Sequence, residues 1–229
     1  MSQAVVIKLS GVSLHGDLTL PKQAKGLVIF AHGSGSSRHS PRNRFVARKI
    51  NEEGMGTLLM DLLTEDEEQV DEVTRELRFD IGLLARRVAH VVQWSQAQPG
   101  LADLPIALFG SSTGAAAALV AAADSPEIAA VVSRGGRPDL AGNALPRVHC
   151  PTLLIVGGND DVVIELNEEA QKLMTCPVEL VIVPGATHLF EEPGTLEKVA
   201  EAAASWFGRY LRVTKQRAKI PARGSATCP

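Results

Sequence analysis

The sequence lacks the features of several large protein classes. Its three cysteines cannot all pair and are not spaced like metal ligands, so we expect them to be reduced, and no cluster of histidines and carboxylates is spaced for a metal. The 23 basic and 26 acidic residues leave a net charge of −3, which gives no basic surface for nucleic acid. No apolar run approaches the roughly 20 residues of a membrane-spanning helix, and Met1–Ser10 does not read as a signal peptide. We therefore expect a soluble, cytoplasmic protein without a nucleic-acid or membrane partner.

The sequence has enough apolar residues to form one hydrophobic core. Hydrophobic residues make up 45% of the 229 residues, which suits a single domain over residues 1–211. Residues 212–229 are basic and contain Pro and Gly, so we expect a mobile tail there.

Short apolar runs alternate with segments of helical periodicity. The first two runs, 4–9 and 14–20, predict an antiparallel hairpin at a sheet edge. The later runs predict buried strands at 26–31, 57–62, 104–109, 128–132, 152–156 and 178–183. Helices are predicted at 43–53, 70–96, after residue 114, at 166–174 and at 195–211, with the acidic segment 65–72 as a solvated loop. This order predicts an α/β fold, a mostly parallel sheet with helices on both faces. The short connection between residues 132 and 152 leaves no room for a cap domain.

The segment Gly110-Ser111-Ser112-Thr113-Gly114 separates a predicted strand from a predicted helix. Gly-x-Ser-x-Gly in that context is typical of the nucleophile elbow of an α/β-hydrolase. The glycines remove side chains that would collide in the sharp turn, and the turn raises the Ser112 hydroxyl at the N-terminus of the helix. Ser111 faces the wrong way for this geometry.

The partners of such a serine follow in the order that this fold requires. Asp160 and His188 each come directly after a predicted buried strand, so Ser112, Asp160 and His188 are the predicted catalytic triad. Asp161 is the competing acid. His32 is interpreted as a structural residue, and the Gly/Ser-rich loop after it places the backbone N–H of Ser34, with that of Thr113, in the predicted oxyanion hole.

The chain resembles the dienelactone-hydrolase-like α/β-hydrolases from about Gly26 to Leu211. The resemblance is carried by the segments 32–37, 110–114, 157–160 and above all Gly185-Ala186-Thr187-His188-Leu189-Phe190-Glu191-Glu192-Pro193-Gly194. It implies hydrolysis of esters or lactones without a cofactor, by the same Ser112, Asp160 and His188. Dienelactone hydrolases use a cysteine nucleophile where this chain has Ser112, which argues against dienelactone as the substrate. Some relatives of this kind are fused to a phosphoribosyltransferase domain.

The predicted function is therefore that of a serine hydrolase acting on small carboxylic esters or lactones. Four arginines on the predicted rim of the site predict binding of an anionic group on the substrate, namely Arg38, Arg42, Arg134 and Arg137. Two alternatives remain. A thioesterase or acyltransferase would use the same triad, and a non-catalytic binding module would use the same fold.

Overall fold

A computed structural model of the chain describes residues 2–211. The tail predicted for residues 212–229 lies outside the described residues, and the limits of the domain stay a prediction. No helix within residues 2–211 combines the length and the apolar character that crossing a bilayer requires.

Within residues 2–211, eight strands form one sheet in the order β1-β2-β4-β3-β5-β6-β7-β8. β1 and β2 pair as an antiparallel hairpin at the edge, β2 pairs antiparallel with β4, and all the remaining pairs are parallel. The strands are β1 Ser2–Leu9, β2 Val12–Thr19, β3 Leu27–Ala31, β4 Gly56–Met60, β5 Ile106–Ser111, β6 Ile128–Arg134, β7 Thr152–Gly157 and β8 Val178–Val183. The parallel strands therefore end at a common edge, where loops from several strands meet.

The described residues 2–211 form six α-helices. They are α1 Pro41–Glu52, α2 Glu65–Thr74, α3 Ile81–Gln96, α4 Thr113–Asp124, α5 Asp161–Leu173 and α6 Thr195–Tyr210. Five of them pack on the two faces of this sheet, while α2 lies beside a surface cleft. One core cluster joins the sheet to α3, α4 and α5, and the second joins it to α1 and α6. β3 and β5 are buried on both faces, which explains why their sequences are continuous apolar runs. The predicted fold class is confirmed.

The predicted helix 70–96 and the acidic loop before it were wrong. The acidic segment is α2, which begins in a capping box between Thr64 and Glu67 and carries its acidic residues in the first turn. α2 ends because Arg75 adopts a left-handed conformation, with φ 59°, after which Leu77–Phe79 forms a 3₁₀ turn. Asp80 then starts α3 by accepting a hydrogen bond from the Leu83 N–H at 2.8 Å.

The connection between β6 and β7 is a pair of short 3₁₀ turns over Pro138–Arg147, broken at Gly142. Gly142 has φ 50° and ψ −124°, a conformation that a side chain disfavours. This compact connection leaves the carboxyl edge of the sheet without a cap domain, as predicted. α5 begins at Asp161, five residues earlier than predicted, directly after the loop that follows β7.

Candidate active site

Ser112 occupies the sharp turn between β5 and α4. Its backbone has φ 50° and ψ −122°, so a residue with a side chain is held in a strained conformation. A Cβ on Gly110 would lie 2.3 Å from Ala115 Cα, and one on Gly114 would lie 2.3 Å from the carbonyl oxygens of Ala31 and His32. Both positions therefore require glycine, because neighbouring backbone atoms leave no room for a Cβ, as in a nucleophile elbow.

Backbone hydrogen bonds hold the turn from the neighbouring strand and loop. The Ser112 N–H donates to the Arg134 carbonyl at 3.2 Å. The Ser112 carbonyl accepts from the N–H groups of Ala115 at 3.1 Å and Arg137 at 3.2 Å. These contacts fix the position of the serine at the carboxyl edge of β5, where the strain of the turn is opposed by the surrounding structure.

Asp160 and His188 come together above the ends of β7 and β8. His188 Nδ1 lies 2.7 Å from Asp160 Oδ2, a distance typical of a charge-assisted hydrogen bond. Because a carboxylate can only accept, Nδ1 is the donor of this bond, and the neutral form of the imidazole then has its free lone pair on Nε2. Asp161, the competing acid, is the exposed first residue of α5 and is not the partner of this histidine.

The loop after β8 is folded around His188 by contacts that the sequence did not reveal. Phe190 is buried with φ 55°, so its ring anchors the loop despite an unfavourable backbone conformation. The Glu192 carboxylate accepts a hydrogen bond from the Thr187 N–H at 3.0 Å, and the Thr187 side chain and then this N–H lower the pKa of Glu192. The motif in which the family resemblance is strongest is thus a set of loop anchors on either side of the histidine.

Ser112 and His188 flank the same loop that leaves β6. A Cβ on Gly135 would lie 3.5 Å from His188 Cε1, and Gly135 follows directly after Arg134, whose carbonyl binds the Ser112 N–H. The hydrogen bonds of residues 2–211 nevertheless include none between Ser112 Oγ and His188. Such bonds are often long before substrate binds and tighten in the complex.

Ser34 and Thr113, the predicted oxyanion residues, are joined across the site. Ser34 Oγ and Thr113 Oγ1 lie 2.9 Å apart, which ties the loop after β3 to the first turn of α4. Within the described part of the chain, neither backbone N–H has an acceptor. Two unpaired donors near a nucleophile at a helix N-terminus are what an oxyanion needs.

His32 sets the shape of the loop that carries Ser34. Its Nε2 accepts a hydrogen bond from the Leu62 N–H at 3.0 Å, so its Nδ1 carries the proton and donates to the Gly33 carbonyl at 2.9 Å. Burial lowers the pKa of His32, which keeps the ring neutral and preserves this arrangement. The predicted structural role of His32 agrees with these contacts.

A cleft of about 530 Å³ extends from Ser34 and Thr113 between the loop after β3 and helix α2. Its walls include apolar side chains and charges of both signs, among them Leu62, Leu63, Leu84, Arg42, Arg78, Glu68 and Glu72. Burial, with the neighbouring charges of Asp61 and Glu72, raises the pKa of Glu68. The cleft is large enough for a small organic substrate.

Helix α2 forms one wall of this cleft and is attached by polar contacts. Asp71 is its only buried residue, and it accepts hydrogen bonds from the Arg78 N–H at 3.0 Å and from Arg78 Nε at 2.5 Å. The buried Arg87 holds Glu67 through two nitrogens at 2.5 and 2.6 Å. The apolar side chains of Val70 and Val73 point to solvent and are 55% and 84% exposed.

The four predicted substrate-binding arginines separate into two pairs. Arg38 is bound to the Asp61 carboxylate through its backbone N–H and its guanidinium, and Arg137 makes two hydrogen bonds with Asp139 at 2.7 and 2.8 Å. Those two arginines already have carboxylate partners, which the sequence could not show. Arg42 lines the cleft and pairs with the exposed carboxylate of Glu191 at 3.2 Å, and Arg134 is buried at the end of β6, where its side chain bonds Asn43.

No group of three or more histidine, cysteine or acidic side chains within residues 2–211 has the arrangement of a metal site.

A parallel sheet with a strained serine between β5 and α4, and an aspartate–histidine pair after β7 and β8, defines an α/β-hydrolase. The family model of the dienelactone hydrolase family matches residues 14–217, and the chain belongs to that family.

The chain is similar to known proteins in sequence or in fold. A dienelactone hydrolase from Anabaena variabilis is 55% identical, with a TM-score of 0.91 over 93% of this chain and 99% of its own. Est1E from Butyrivibrio proteoclasticus, solved with ferulic acid bound, is 20% identical and shares the fold, with a TM-score of 0.77 over 91% of this chain and 99% of its own.

Curated relatives are longer proteins. Two proteins of Mycobacterium tuberculosis, whose names provisionally call them phosphoribosyl transferases, are 56% identical over 210 residues. The match covers 91% of this chain but 46% of each relative, so the chain spans about half the length of the curated relatives it matches.

Proposed function

We propose that the protein hydrolyses small carboxylic esters or lactones through an acyl-enzyme on Ser112. The observation that carries this proposal is the 2.7 Å hydrogen bond between His188 Nδ1 and Asp160 Oδ2, beside a serine held in an elbow turn. This bond orients the imidazole with its basic Nε2 free, and that nitrogen is the one a serine hydroxyl requires.

In the first half of the reaction, Ser112 Oγ attacks the carbonyl carbon while its proton passes to His188 Nε2. The C–O bond to the leaving group then breaks, and the proton on Nε2 goes to the leaving oxygen. Asp160 stabilises the imidazolium between these two transfers. In the second half, water attacks the acyl carbon and gives a proton to Nε2. The bond between the acyl carbon and Ser112 Oγ then breaks, and the proton on Nε2 passes to Ser112 Oγ as the acid leaves.

The negative charge that develops on the carbonyl oxygen would be bound by the backbone N–H groups of Ser34 and Thr113. Their hydroxyls contact each other at 2.9 Å, so the two donors are pre-positioned before substrate arrives. Preorganised donors of this kind contribute about 3–4 kcal/mol each to the stabilisation of an oxyanion. His32 supports them as a positioning residue, since it fixes the Gly33 carbonyl and the Leu62 N–H on either side of the loop.

The test is labelling with a fluorophosphonate probe, followed by mapping of the adduct by mass spectrometry. We expect stoichiometric labelling at Ser112 in the wild-type protein and none in Ser112→Ala. Ser111→Ala is the matched control, because Ser111 is the buried neighbour of the elbow serine and should leave labelling intact. If the folded wild-type protein is not labelled, the binding-module interpretation takes precedence over an enzyme.

The substrate class is then decided by a panel of aryl esters, lactones and acyl thioesters of matched acyl chains. The proposal expects esters or lactones to give the highest kcat/KM with water as the acceptor. Faster turnover of thioesters, or transfer of the acyl group to an added alcohol or thiol in preference to water, would assign the triad to a thioesterase or acyltransferase instead.

A further inference from the structure

Asn167 is a polar side chain on the buried face of helix α5. The buried positions of this helix are Val163, Asn167 and Ala170, and the side chain of Asn167 is 0% exposed. Asparagine is a poor helix former, and a buried amide costs free energy unless its polar atoms are bonded. An apolar residue is the expected choice on such a face, so the hydrogen bonds of the Asn167 amide indicate its role.

The amide of Asn167 donates to two backbone carbonyls. Its Nδ2 lies 2.7 Å from the Val163 carbonyl oxygen of the same helix and 3.1 Å from the Gly136 carbonyl oxygen. Both partners can only accept, so they fix which end of the amide faces them. The Oδ1 atom is buried and has no donor within residues 2–211. The hydrogen bond that joins Asn167 to the rest of the protein is therefore the one to Gly136.

Gly136 belongs to residues 135–137, here called the β6 loop, which lies between the serine and the histidine of the site. The Arg137 N–H donates to the Ser112 carbonyl at 3.2 Å. A Cβ on Gly135 would lie 3.2 Å from the His188 carbonyl oxygen and 3.5 Å from His188 Cε1. A displacement of the β6 loop would therefore change the position of Ser112 relative to the imidazole.

The β6 loop is held by a strand on one side and by helices on the other. The Gly135 N–H donates to the Ile155 carbonyl of β7 at 2.7 Å. A Cβ on Gly136 would lie 2.7 Å from the Cβ of Ala115, so glycine lets the loop pack against the first turn of α4. Within residues 2–211, no side chain other than that of Asn167 forms a hydrogen bond with the backbone of this loop.

We propose that Asn167 is a positioning residue that sets the place of the Ser112 elbow relative to the aspartate–histidine pair. Helix α5 begins directly after Asp160, and the Asn167 amide ties this helix to the β6 loop. The Arg137 N–H of the same loop holds the Ser112 carbonyl. Two hydrogen bonds in series thus connect the helix that follows the acid with the turn that carries the nucleophile. This inference rests on the proposed ester or lactone hydrolysis.

Asn167 acts on the position of the serine and not on the binding of substrate. Its side chain is fully buried and is not part of the cleft wall. Nucleophilic attack requires the reacting atoms about 3–3.5 Å apart, and a displacement of about 1 Å can lower the rate roughly 100-fold. Loss of the amide should therefore lower kcat and leave KM little changed.

Asn167→Leu removes the amide and keeps a branched side chain, and Asn51→Leu is the matched control. Asn51 lies on α1 near the amino ends of the parallel strands, at the edge of the sheet opposite the site. Its Nδ2 also has two acceptors, the Met55 carbonyl at 2.9 Å and the Thr57 hydroxyl at 3.1 Å. Each variant therefore loses the same kind of buried amide contact, and each should lower Tm by about 2–6 °C.

The two variants should differ in catalysis. In Asn167→Leu, kcat for 4-nitrophenyl butyrate and the rate of fluorophosphonate labelling should both fall about 10- to 100-fold, with KM within about 3-fold of the wild type. In Asn51→Leu, both rates should change by less than about 2-fold. Equal changes in the two variants, or an unchanged kcat in Asn167→Leu, would make Asn167 a structural residue. If Asn167→Leu does not fold, Asn167→Ala, a smaller residue with high helix propensity, takes its place with the same expectation.

Hydrogen exchange provides a readout that does not depend on activity. Measured by NMR on the full chain, the Arg137 amide should exchange at least about 10-fold faster in Asn167→Leu than in the wild type or Asn51→Leu. Unchanged exchange of this amide would overturn the coupling, whether or not the protein hydrolyses esters. If the wild type hydrolyses no ester while the Arg137 amide responds to Asn167→Leu, the proposed function fails and the coupling between α5 and the elbow stands.

Discussion

The elbow strain at Ser112 should be measurable as a difference in stability between two substitutions. Ser112 and Gly142 share almost the same backbone conformation, with φ 50° and ψ near −123° in both. At position 142 the chain has glycine, and at position 112 it has a residue with a side chain. We therefore expect Ser112→Gly to be more stable than Ser112→Ala, the reverse of the usual order for these two residues.

The difference in unfolding free energy between the two variants is the sum of two opposing contributions. A non-glycine residue in this region costs about 1–3 kcal/mol, while glycine costs roughly 0.4–1 kcal/mol more than alanine through the entropy of the unfolded chain. The difference favours Ser112→Gly by about 1 kcal/mol, or roughly 2–4 °C in Tm for a domain of this size. Both variants lack the hydroxyl, so its loss cancels in the comparison.

Gly142→Ala is the matched control, because it replaces glycine by alanine at almost the same backbone conformation. A Cβ at Gly142 would have no heavy atom within 4 Å, so the substitution adds conformational strain without a steric clash. It should therefore destabilise the protein by about 1 kcal/mol. Urea unfolding of the wild type and the three variants, monitored by fluorescence and far-UV circular dichroism, measures both differences.

The reasoning is refuted if Ser112→Gly proves less stable than Ser112→Ala by the ordinary cost of glycine. That outcome would mean that contacts around the turn offset the backbone strain at Ser112. Holding the hydroxyl in this position would then cost no unfolding free energy. If Gly142→Ala alone behaves as expected, the assay is sound and the conclusion applies to the elbow specifically.

Four further predictions concern the site and its supports. Gly114→Ala should abolish ester hydrolysis and destabilise the fold, because the Cβ of the new alanine would lie 2.3 Å from two carbonyl oxygens. Unchanged kcat and Tm would contradict the close packing of the elbow. Asp160→Asn should lower kcat by about 10⁴-fold with KM little changed, through loss of the required tautomer, and a loss of less than about 10-fold would remove Asp160 from the mechanism. The bond from Arg87 lowers the pKa of Glu67 in the folded state, so its contribution to stability is present above pH 4.5 and is lost as the pH falls through the folded pKa. Unfolding free energies measured from pH 7 to 3 should therefore fall less steeply in Glu67→Gln than in the wild type. Identical slopes would show that Glu67 does not contribute to the pH dependence of stability. Burial raises the pKa of the Cys150 thiol to about 12, so iodoacetamide at pH 8 should alkylate it about 10³-fold more slowly than a free cysteine, as peptide mapping by mass spectrometry would show.

The sequence predicted those features that depend on local patterns. Continuous apolar runs gave the buried strands, and the glycines of the elbow predicted the close approach later measured at Gly110 and Gly114. The positions of Asp160 and His188 followed from chain order, because parallel strands end at a common edge. Their catalytic roles remain predictions for the labelling experiment to test.

The features that depend on partners distant in sequence were not predictable. Helix α2 was taken for a loop because its charges suggested solvation, whereas the Thr64–Glu67 capping box and the contact to Arg87 hold it as a helix. The pairing of Arg38 with Asp61 likewise joins residues 23 positions apart. Nothing in the local sequence distinguished this arginine from Arg134, which has no such partner.

The attachment of α2 has a consequence for how this protein can change. The helix contributes no apolar side chain to either core cluster, and ion pairs to Arg78 and Arg87 hold it in place. Its opening free energy should therefore be lower than that of the sheet, and its amide protons should exchange well before those of β5. Substitutions on its cleft-facing surface should alter the cleft at a smaller cost in unfolding free energy than substitutions in the core. New substrate preferences can arise at this wall without the compensating mutations that a change in the core would require.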